Sequence, residues 1–211
     1  TDKTKAIVVV HLFGMPCMMD EIMHIAKKHN LKVLEDASHA HGATYHSKPI
    51  GSFGDVSVFS MQGNKLCPSG EGGVLLCDDQ EIWESAVRLG HYEKLPGLES
   101  DNKYFAATGF GFKFRMAPMA AALAHSQFQD METRNIQRNE KCIYLSEKLE
   151  SLGIETFMSP ENVNRVYFEF LVRYHENGTG LPIGDLAIAL QTEGAMVAAP
   201  RYPLLHQQPV F

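Results

Sequence analysis

The sequence predicts an α/β fold built on a mostly parallel sheet. Three observations carry this expectation: a short apolar, β-branched run at residues 6–12, a second at 31–36, and an amphipathic stretch between them that begins near Asp20. Strand, helix and strand at this spacing form a βαβ unit, in which the crossover helix brings the second strand back parallel to the first.

Each element follows from its local pattern. Ala6-Ile7-Val8-Val9-Val10-His11-Leu12 has no polar alternation and reads as a strand buried on both faces, ended by Gly14 and Pro16. In the following helix Asp20 is the expected N-cap. Ile22, Ile25, Ala26 and His29 fall on one face, and Lys27 and Lys28 turn outward. Leu31 to Asp36 forms the next strand. Asp55 to Ser60 and Gly73 to Cys77 form two more, with no long helix between them. A helix starts near Asp79 and runs through Trp83 and Val87. Residues 91–112, rich in Gly, Asn, Asp, Lys and aromatics, read as a long surface or active-site loop. Residues 117–152 are helical, with small-residue packing at 120–124 and with Glu140 and Glu147 on a solvated face. Beyond Gly153 the texture changes. Residues 154–157 and 166–172 read as strands and 186–190 as a helix, the start of a smaller α+β domain.

Composition narrows the function classes. The chain has 211 residues, 45% hydrophobic and 21% charged, as in an ordinary soluble globular protein. Its formal net charge of −6, with no Lys/Arg run, argues against a nucleic-acid platform. No stretch approaches the ~18 apolar residues of a membrane span, and the polar start Thr1-Asp2-Lys3-Thr4-Lys5 has no signal-peptide pattern. Cys17, Cys67, Cys77 and Cys142 are scattered without a CxxC pair, which suggests reduced thiols in a cytoplasmic protein rather than a disulfide or zinc framework. Asn177-Gly178-Thr179 then matches a glycosylation acceptor by chance. The chain opens without Met on a buried strand and closes on apolar Pro209-Val210-Phe211, so both ends read as cut.

Three sets of residues are candidates for chemistry. Asp36 ends an apolar strand, where open α/β sheets bind ligands. Its bland alternative is a turn or capping carboxylate with Glu35 as the solvent-side neighbour. Lys65 follows the strand end Phe59-Ser60 through Met61-Gln62-Gly63-Asn64 and precedes Gly70-Glu71-Gly72-Gly73, whose glycines permit close backbone approach to a ligand. The bland alternative is a solvated lysine. A Walker A loop is excluded, because Leu66 follows Lys65. His39, His41 and His46 lack a third ligand at suitable spacing and any HExxH, so they read as one stacked or hydrogen-bonding histidine and two surface ones.

Taken in order, these segments resemble the DegT/DnrJ/EryC1/StrS family of PLP-dependent sugar aminotransferases. The resemblance rests on Val10-His11-Leu12-Phe13-Gly14, on Leu34 through Ala43 (LEDASHAHGA), on Gly51-Ser52-Phe53-Gly54-Asp55, on Phe59-Ser60 through Lys65 with Gly70-Glu71-Gly72-Gly73, on Gly111 through Met116 (GFKFRM), and on Tyr202-Pro203-Leu204-Leu205-His206. Each motif alone is weak; the ordered set covers nearly the whole chain and is specific.

The resemblance implies an incomplete, aspartate aminotransferase-like large domain at 1–133 and part of a small C-terminal domain at 134–211. It also implies an internal fragment, with the family's N-terminal phosphate turn before Thr1. It implies pyridoxal 5'-phosphate as cofactor and amino transfer from glutamate or glutamine to a nucleotide-linked keto-sugar or keto-cyclitol, at a site shared by two subunits of a cytoplasmic homodimer. On the matching positions, Lys65 is the Schiff-base lysine and Asp36 pairs with the pyridinium nitrogen. His39 lies near the phenolic oxygen, where relatives often carry Gln. Ser60 binds the phosphate, Lys113 reaches the partner subunit's phosphate from a position that is often Asn, and Arg115 supports the same boundary. Met116, Met119 and the aromatics at 104, 105, 110, 112 and 114 are candidates for the subunit surface. The family's 3-dehydrase branch has His in place of the lysine, so Lys65 argues against it. The remaining alternative is a catalytically impaired or regulatory homologue on the same scaffold.

Overall fold

The computed structural model describes residues 1–107, 111–176, 180–199 and 204–209. Phe110, the Asn177-Gly178-Thr179 acceptor and the Tyr202-Pro203 pair therefore lie outside the described residues. The chain forms two compact units, one of residues 1–146 with 158–170 and one of residues 147–157 with 171–211. No helix among the described residues is long and apolar enough to cross a membrane.

The first unit is organised by a four-stranded sheet. Strand β1 (Ala6–Val10), helix α1 (Met19–His29) and strand β2 (Lys32–Asp36) make the expected βαβ unit. The short strands β3 (Thr44–Tyr45) and β4 (Lys48–Pro49) form a hairpin that the sequence pattern does not reveal. Strands β5 (Val56–Ser60) and β6 (Gly73–Leu76) complete the sheet in the order β1-β2-β5-β6. The first three are parallel and β6 is an antiparallel edge. Three helices follow: α2 (Gln80–Gly90), capped by the Asp79 carboxylate on the Ile82 N–H, α3 (Pro118–Gln129) and α4 (Met131–Glu150). In the second unit Glu155–Thr156 pairs antiparallel with Val172–Arg173, Arg173 bridges Glu155 at 3.0 Å, and Ile183–Thr192 is helical.

Several local expectations are corrected. Strand β1 is buried on one face only: Val9 lies in the core while Val8 is 64% exposed. The reason is that α1 packs on a single face, where Met19 and Ala26 meet Val9 and Val33. The buried stripe of α1 is Met19, Ile22, Met23 and Ala26, so Ile25 and His29 point to solvent. Met18, not Asp20, is the N-cap residue of α1. Within 166–172 only Val172 lies in a strand, and a short strand at Val163–Asn164 pairs with β3. Residues 91–107 are mostly 3-10 turns that bury Leu95 and Leu98 against Val87.

The largest correction concerns Glu35, which is fully buried rather than a solvent-side neighbour of Asp36. Alternation on β2 turns Val33 and Glu35 to the core. A carboxylate placed there requires compensation, and it receives four donors. The N–H groups of Phe53 and Gly54 donate to Oε1, each at 2.7 Å, and that of Gly51 donates to Oε2 at 2.8 Å. His11 Nε2 lies 3.2 Å from Oε2. His11 Nδ1 accepts the Cys17 N–H at 3.1 Å, which leaves the ring proton on Nε2, facing Glu35. Burial works to raise the Glu35 pKa. The bonds from His11 and from the Gly54, Gly51 and Phe53 N–H groups outweigh it and hold the carboxyl below its ordinary range. The segment Gly51-Ser52-Phe53-Gly54-Asp55 is thus a carboxylate-binding turn. A Cβ on Gly54 would come within 2.7 Å of the Val33 carbonyl, and Asp55 finishes the turn by accepting the Val33 N–H at 2.9 Å.

Removing this carboxylate orphans three partly buried N–H groups. Glu35→Ala is expected to destabilise the protein by about 3–5 kcal/mol, read as a lower urea midpoint with an unchanged m-value. A cost within ordinary surface scatter would refute the role given to Glu35.

Candidate active site

The parallel strands β1, β2 and β5 end at one edge of the sheet. In register, Asp36 lies between Val10 and Val58, and Ser60 pairs with Gly73 where β6 begins. The edge therefore gathers His11, Asp36 and Ser60 with the loops that follow them, the position where such sheets bind ligands. Because Glu35 faces the core, Asp36 faces the other way and is half-buried. Its Oδ1 accepts the Ser38 N–H at 3.0 Å, the turn geometry of the bland alternative, while Oδ2 has no hydrogen-bond partner among the described residues.

Lys65 belongs to a loop closed at its neck. The Met61 N–H donates to the Gly72 carbonyl at 2.9 Å, and the Ser69 N–H and Oγ both donate to the Met61 carbonyl. Within the loop the Lys65 N–H meets the Gln62 carbonyl at 2.9 Å, and buried Leu66 and Cys67 anchor the following residues. Lys65 is half-buried and makes no ion pair among the described residues; its Nζ lies 4.7 Å from the centre of the Phe168 ring. Lys65 is thus less solvated than a lysine on an open surface. Ser60 Oγ accepts the Gln62 N–H at 3.4 Å, a long bond that leaves the hydroxyl hydrogen for another partner.

His39 stacks on the same Phe168 ring, 3.9 Å between centroids and 11° between planes, and accepts the Phe13 N–H at Nδ1. Phe168 reaches the edge because residues 166–168 run against residues 13–14: the Val166 N–H donates to the Gly14 carbonyl and the Phe168 N–H to the Phe13 carbonyl. Only glycine fits at position 14, since a Cβ would fall 1.9 Å from the Val166 carbonyl oxygen. The three histidines differ from expectation. His39 is the stacked one and His46 is exposed, but His41 is buried beside the Ser60 backbone, and its ring nitrogens reach no hydrogen bond of ordinary geometry among the described residues. Burial, together with the charges of Lys65 and His39, pushes the His41 pKa down to about 4 against an opposing pull from the Ser60 backbone.

The structure thus brings Asp36, His39, Ser60 and Lys65 to one edge, and adds Phe13, His41 and Phe168. Lys113 does not lie on the loops of this edge. It is exposed on the segment after the 3-10 turns, where its backbone bridges His91, and Arg115 pairs with Glu93. Phe168 was not legible in the sequence, because nothing in the run Tyr167-Phe168-Glu169-Phe170 marks which ring turns toward residues 13 and 39. The grouping fits a ligand that carries both donors and acceptors: among the described residues, a carboxylate oxygen without a hydrogen-bond partner and a lysine amine without an ion pair lie at one edge.

A family profile described as the DegT/DnrJ/EryC1/StrS aminotransferase family matches residues 1–211. The chain belongs to this family. It is 30% identical to the L-glutamine:scyllo-inosose aminotransferase of Streptomyces griseus over 217 aligned residues, covering 100% of the chain and 51% of that protein. Among solved structures, it is similar to DesV of S. venezuelae, with a TM-score of 0.81 and 28% identity over 100% of this chain and 54% of that one. It is also similar to the E. coli GDP-4-keto-6-deoxy-D-mannose-3-dehydratase with bound hydrated PLP. There the TM-score is 0.78 and the identity 26%, over 92% of this chain and 52% of that one. The chain thus spans about half the length of the curated relatives it matches. The fold is that of PLP aminotransferases, as the family resemblance implied.

Neutral burial of His41 has a pH signature. Its folded-state pKa lies below the ordinary 6.5, so the stability it contributes is present above pH 6.5 and is lost as pH falls toward about 4. The full span corresponds to about 3 kcal/mol. Chemical denaturation across this window is expected to show the loss, and His41→Phe to flatten it; an equal slope in both proteins would contradict it. Glu35 contributes in a lower window, with stability lost as pH falls through its depressed pKa.

Proposed function

We propose that the protein carrying this chain is a pyridoxal 5'-phosphate-dependent aminotransferase that moves an amino group from glutamine or glutamate to a nucleotide-linked keto-sugar or keto-cyclitol. The observation that carries this reading is the convergence of Lys65, Asp36 and Ser60 on one strand edge, in a chain of this family. The printed activity of the S. griseus relative supports the donor and the cyclitol class, and that of the E. coli neighbour supports a nucleotide-linked keto-sugar.

When bound, the cofactor supplies an electron sink for the substrate Cα. The chain's residues then divide the work. The Asp36 carboxylate, through Oδ2, would hold a proton on the ring nitrogen. The Ser60 hydroxyl would donate to the phosphate, and His39, held by Phe168 and the Phe13 N–H, would face the ring oxygen. Lys65 would anchor the group through its amine. Once released, that amine would take the proton from the donor's Cα as general base and give it up again as general acid. Among the described residues Lys65 has no carboxylate partner that would tie its amine down, which suits it to engage a ligand. Lys113 serves the partner subunit's phosphate in a cytoplasmic homodimer. The exposed apolar side chains of Tyr104, Phe112, Phe114 and Met119 support that assembly. In this reading residues 1–133 belong to the large domain and 134–211 to the small one.

In the full-length protein reconstituted with pyridoxal phosphate, Lys65→Ala is expected to abolish the visible absorbance of lysine-bound cofactor. It should also lower amino transfer by ~10²–10⁴-fold or more. Unchanged absorbance in that variant would overturn the assignment. A cofactor-loaded wild-type protein showing no spectral change with glutamine or glutamate would instead favour the regulatory alternative.

A further inference from the structure

One residue at the strand edge is held in a strained conformation. Among the described residues, the non-glycines with a positive φ are Phe13, Asn30, His46, Ser47 and Asn162. The last four are polar and exposed, as is usual in turns. Phe13 is aromatic and half-buried, with φ 54° and ψ 21°. This left-handed conformation crowds Cβ against the backbone and destabilises the fold, so it persists only where surrounding contacts impose it.

Those contacts lie on both sides of the residue. The turn is closed by the Gly14 N–H on the His11 carbonyl at 3.2 Å and by the Met15 N–H on the Leu12 carbonyl at 3.1 Å. The Phe13 carbonyl accepts from the Phe168 N–H and from Arg165 Nη2, each at 3.3 Å. Its N–H donates to His39 Nδ1, also at 3.3 Å. The His39 segment is fixed as well. Ala37 and Ala40 are fully buried, the Ala37 N–H meets the Val58 carbonyl at 2.9 Å, and the Ala40 N–H meets the Ala37 carbonyl at 2.8 Å. The imidazole plane lies within 11° of the Phe168 ring and within 17° of the Phe13 ring, whose centroid is 6.0 Å away. Contacts within the protein thus set both the place and the plane of the ring. A ring nitrogen that accepts an N–H carries no proton of its own, so the neutral ring has its proton on Nε2.

We propose that Phe13 is a positioning residue for His39: its left-handed backbone holds the imidazole in the Nε2–H form, so that the ring meets a ligand at this edge as a hydrogen-bond donor. The partner this suits is an acceptor oxygen with negative charge, such as the phenolate of a pyridoxal ring. The choice of that ligand rests on the reading of Asp36, Ser60 and Lys65 as its site; the tautomer does not. A histidine without this constraint exchanges between two tautomers, and one of them turns an acceptor nitrogen toward the oxygen. The strain at Phe13 secures the donor form in advance of binding.

The test compares the full-length wild type with Phe13→Asn and Phe13→Val. Both variants remove the ring, but asparagine tolerates the left-handed region and β-branched valine does not. The first measurement is ¹⁵N NMR of the His39 ring in cofactor-free protein, with the signals assigned through His39→Gln. It is separable from the Lys65→Ala absorbance experiment because no cofactor takes part. Wild type and Phe13→Asn are expected to show Nδ1 unprotonated and Nε2 protonated, and Phe13→Val a mixture of tautomers. An Nδ1–H ring in wild type, or the same ring state in both variants, would overturn the proposal. Should Phe13→Val fail to fold, wild type and Phe13→Asn decide, and an Nδ1–H or averaged ring in either sinks it. Pyridoxal phosphate affinity gives the second readout. Loss of one oriented donor predicts about 3–10-fold weaker binding to Phe13→Val and near wild-type binding to Phe13→Asn. Adding His39→Gln to Phe13→Val is expected to restore affinity, since an amide donates without help from residue 13. Weakening that this double variant leaves unrelieved decides against the donor role.

Discussion

The buried carboxylate of Glu35 is the interaction on which the rest of the first unit depends. One side chain joins β2 to the end of β1 through His11 and to the start of β5 through the turn at Gly51, Phe53 and Gly54. A charge in the core is tolerable only when its lone pairs are occupied. The four donors are thus a condition of folding rather than an addition to it. The consequence reaches the site by simple alternation: with Glu35 committed inward, Asp36 must face outward, at the last position of its strand. A carboxylate that sets the fold and a carboxylate turned away from the core are adjacent residues of one strand.

Two kinds of close approach complete the edge. Gly54 allows the turn to lie against the Val33 carbonyl, and Gly14 allows residues 166–168 to lie against residues 13–14. The second approach imports Phe168 from far along the chain, where it supports both His39 and Lys65. Polar groups around the edge then fall into two classes. Glu35 and His11 are saturated with partners and hold the scaffold. Asp36 Oδ2 and the Lys65 amine lack hydrogen-bond or ion-pair partners among the described residues. Unsatisfied polar groups gathered in one place are costly to the folded state, and a ligand that engages them offsets that cost.

Much of this was legible from the chain alone, for identifiable reasons. The βαβ unit, the β5 and β6 strands and the Asp79-capped helix follow from short-range periodicity and capping, which act within a few residues. The strand-end locations of Asp36, Ser60 and Lys65 follow from the same patterns. The errors came where a residue's environment is set by distant segments. Glu35 looked solvent-facing because a charged side chain after Leu34 ordinarily is, and only the 51–54 turn makes the opposite stable. Val8 looked buried because an unbroken apolar run does not say how many faces of its sheet are covered.

The sequence by itself determined the α/β class, the family and the candidate residues of the site, because these depend on local pattern and on ordered motifs. Tertiary structure alone decided which carboxylate lies inside and which faces away from the core, that Phe168 is the ring beneath His39 and Lys65, and that His41 is buried. Those facts arise from contacts between residues far apart in the chain, where burial and hydrogen bonding are settled by which segments meet rather than by what each segment prefers.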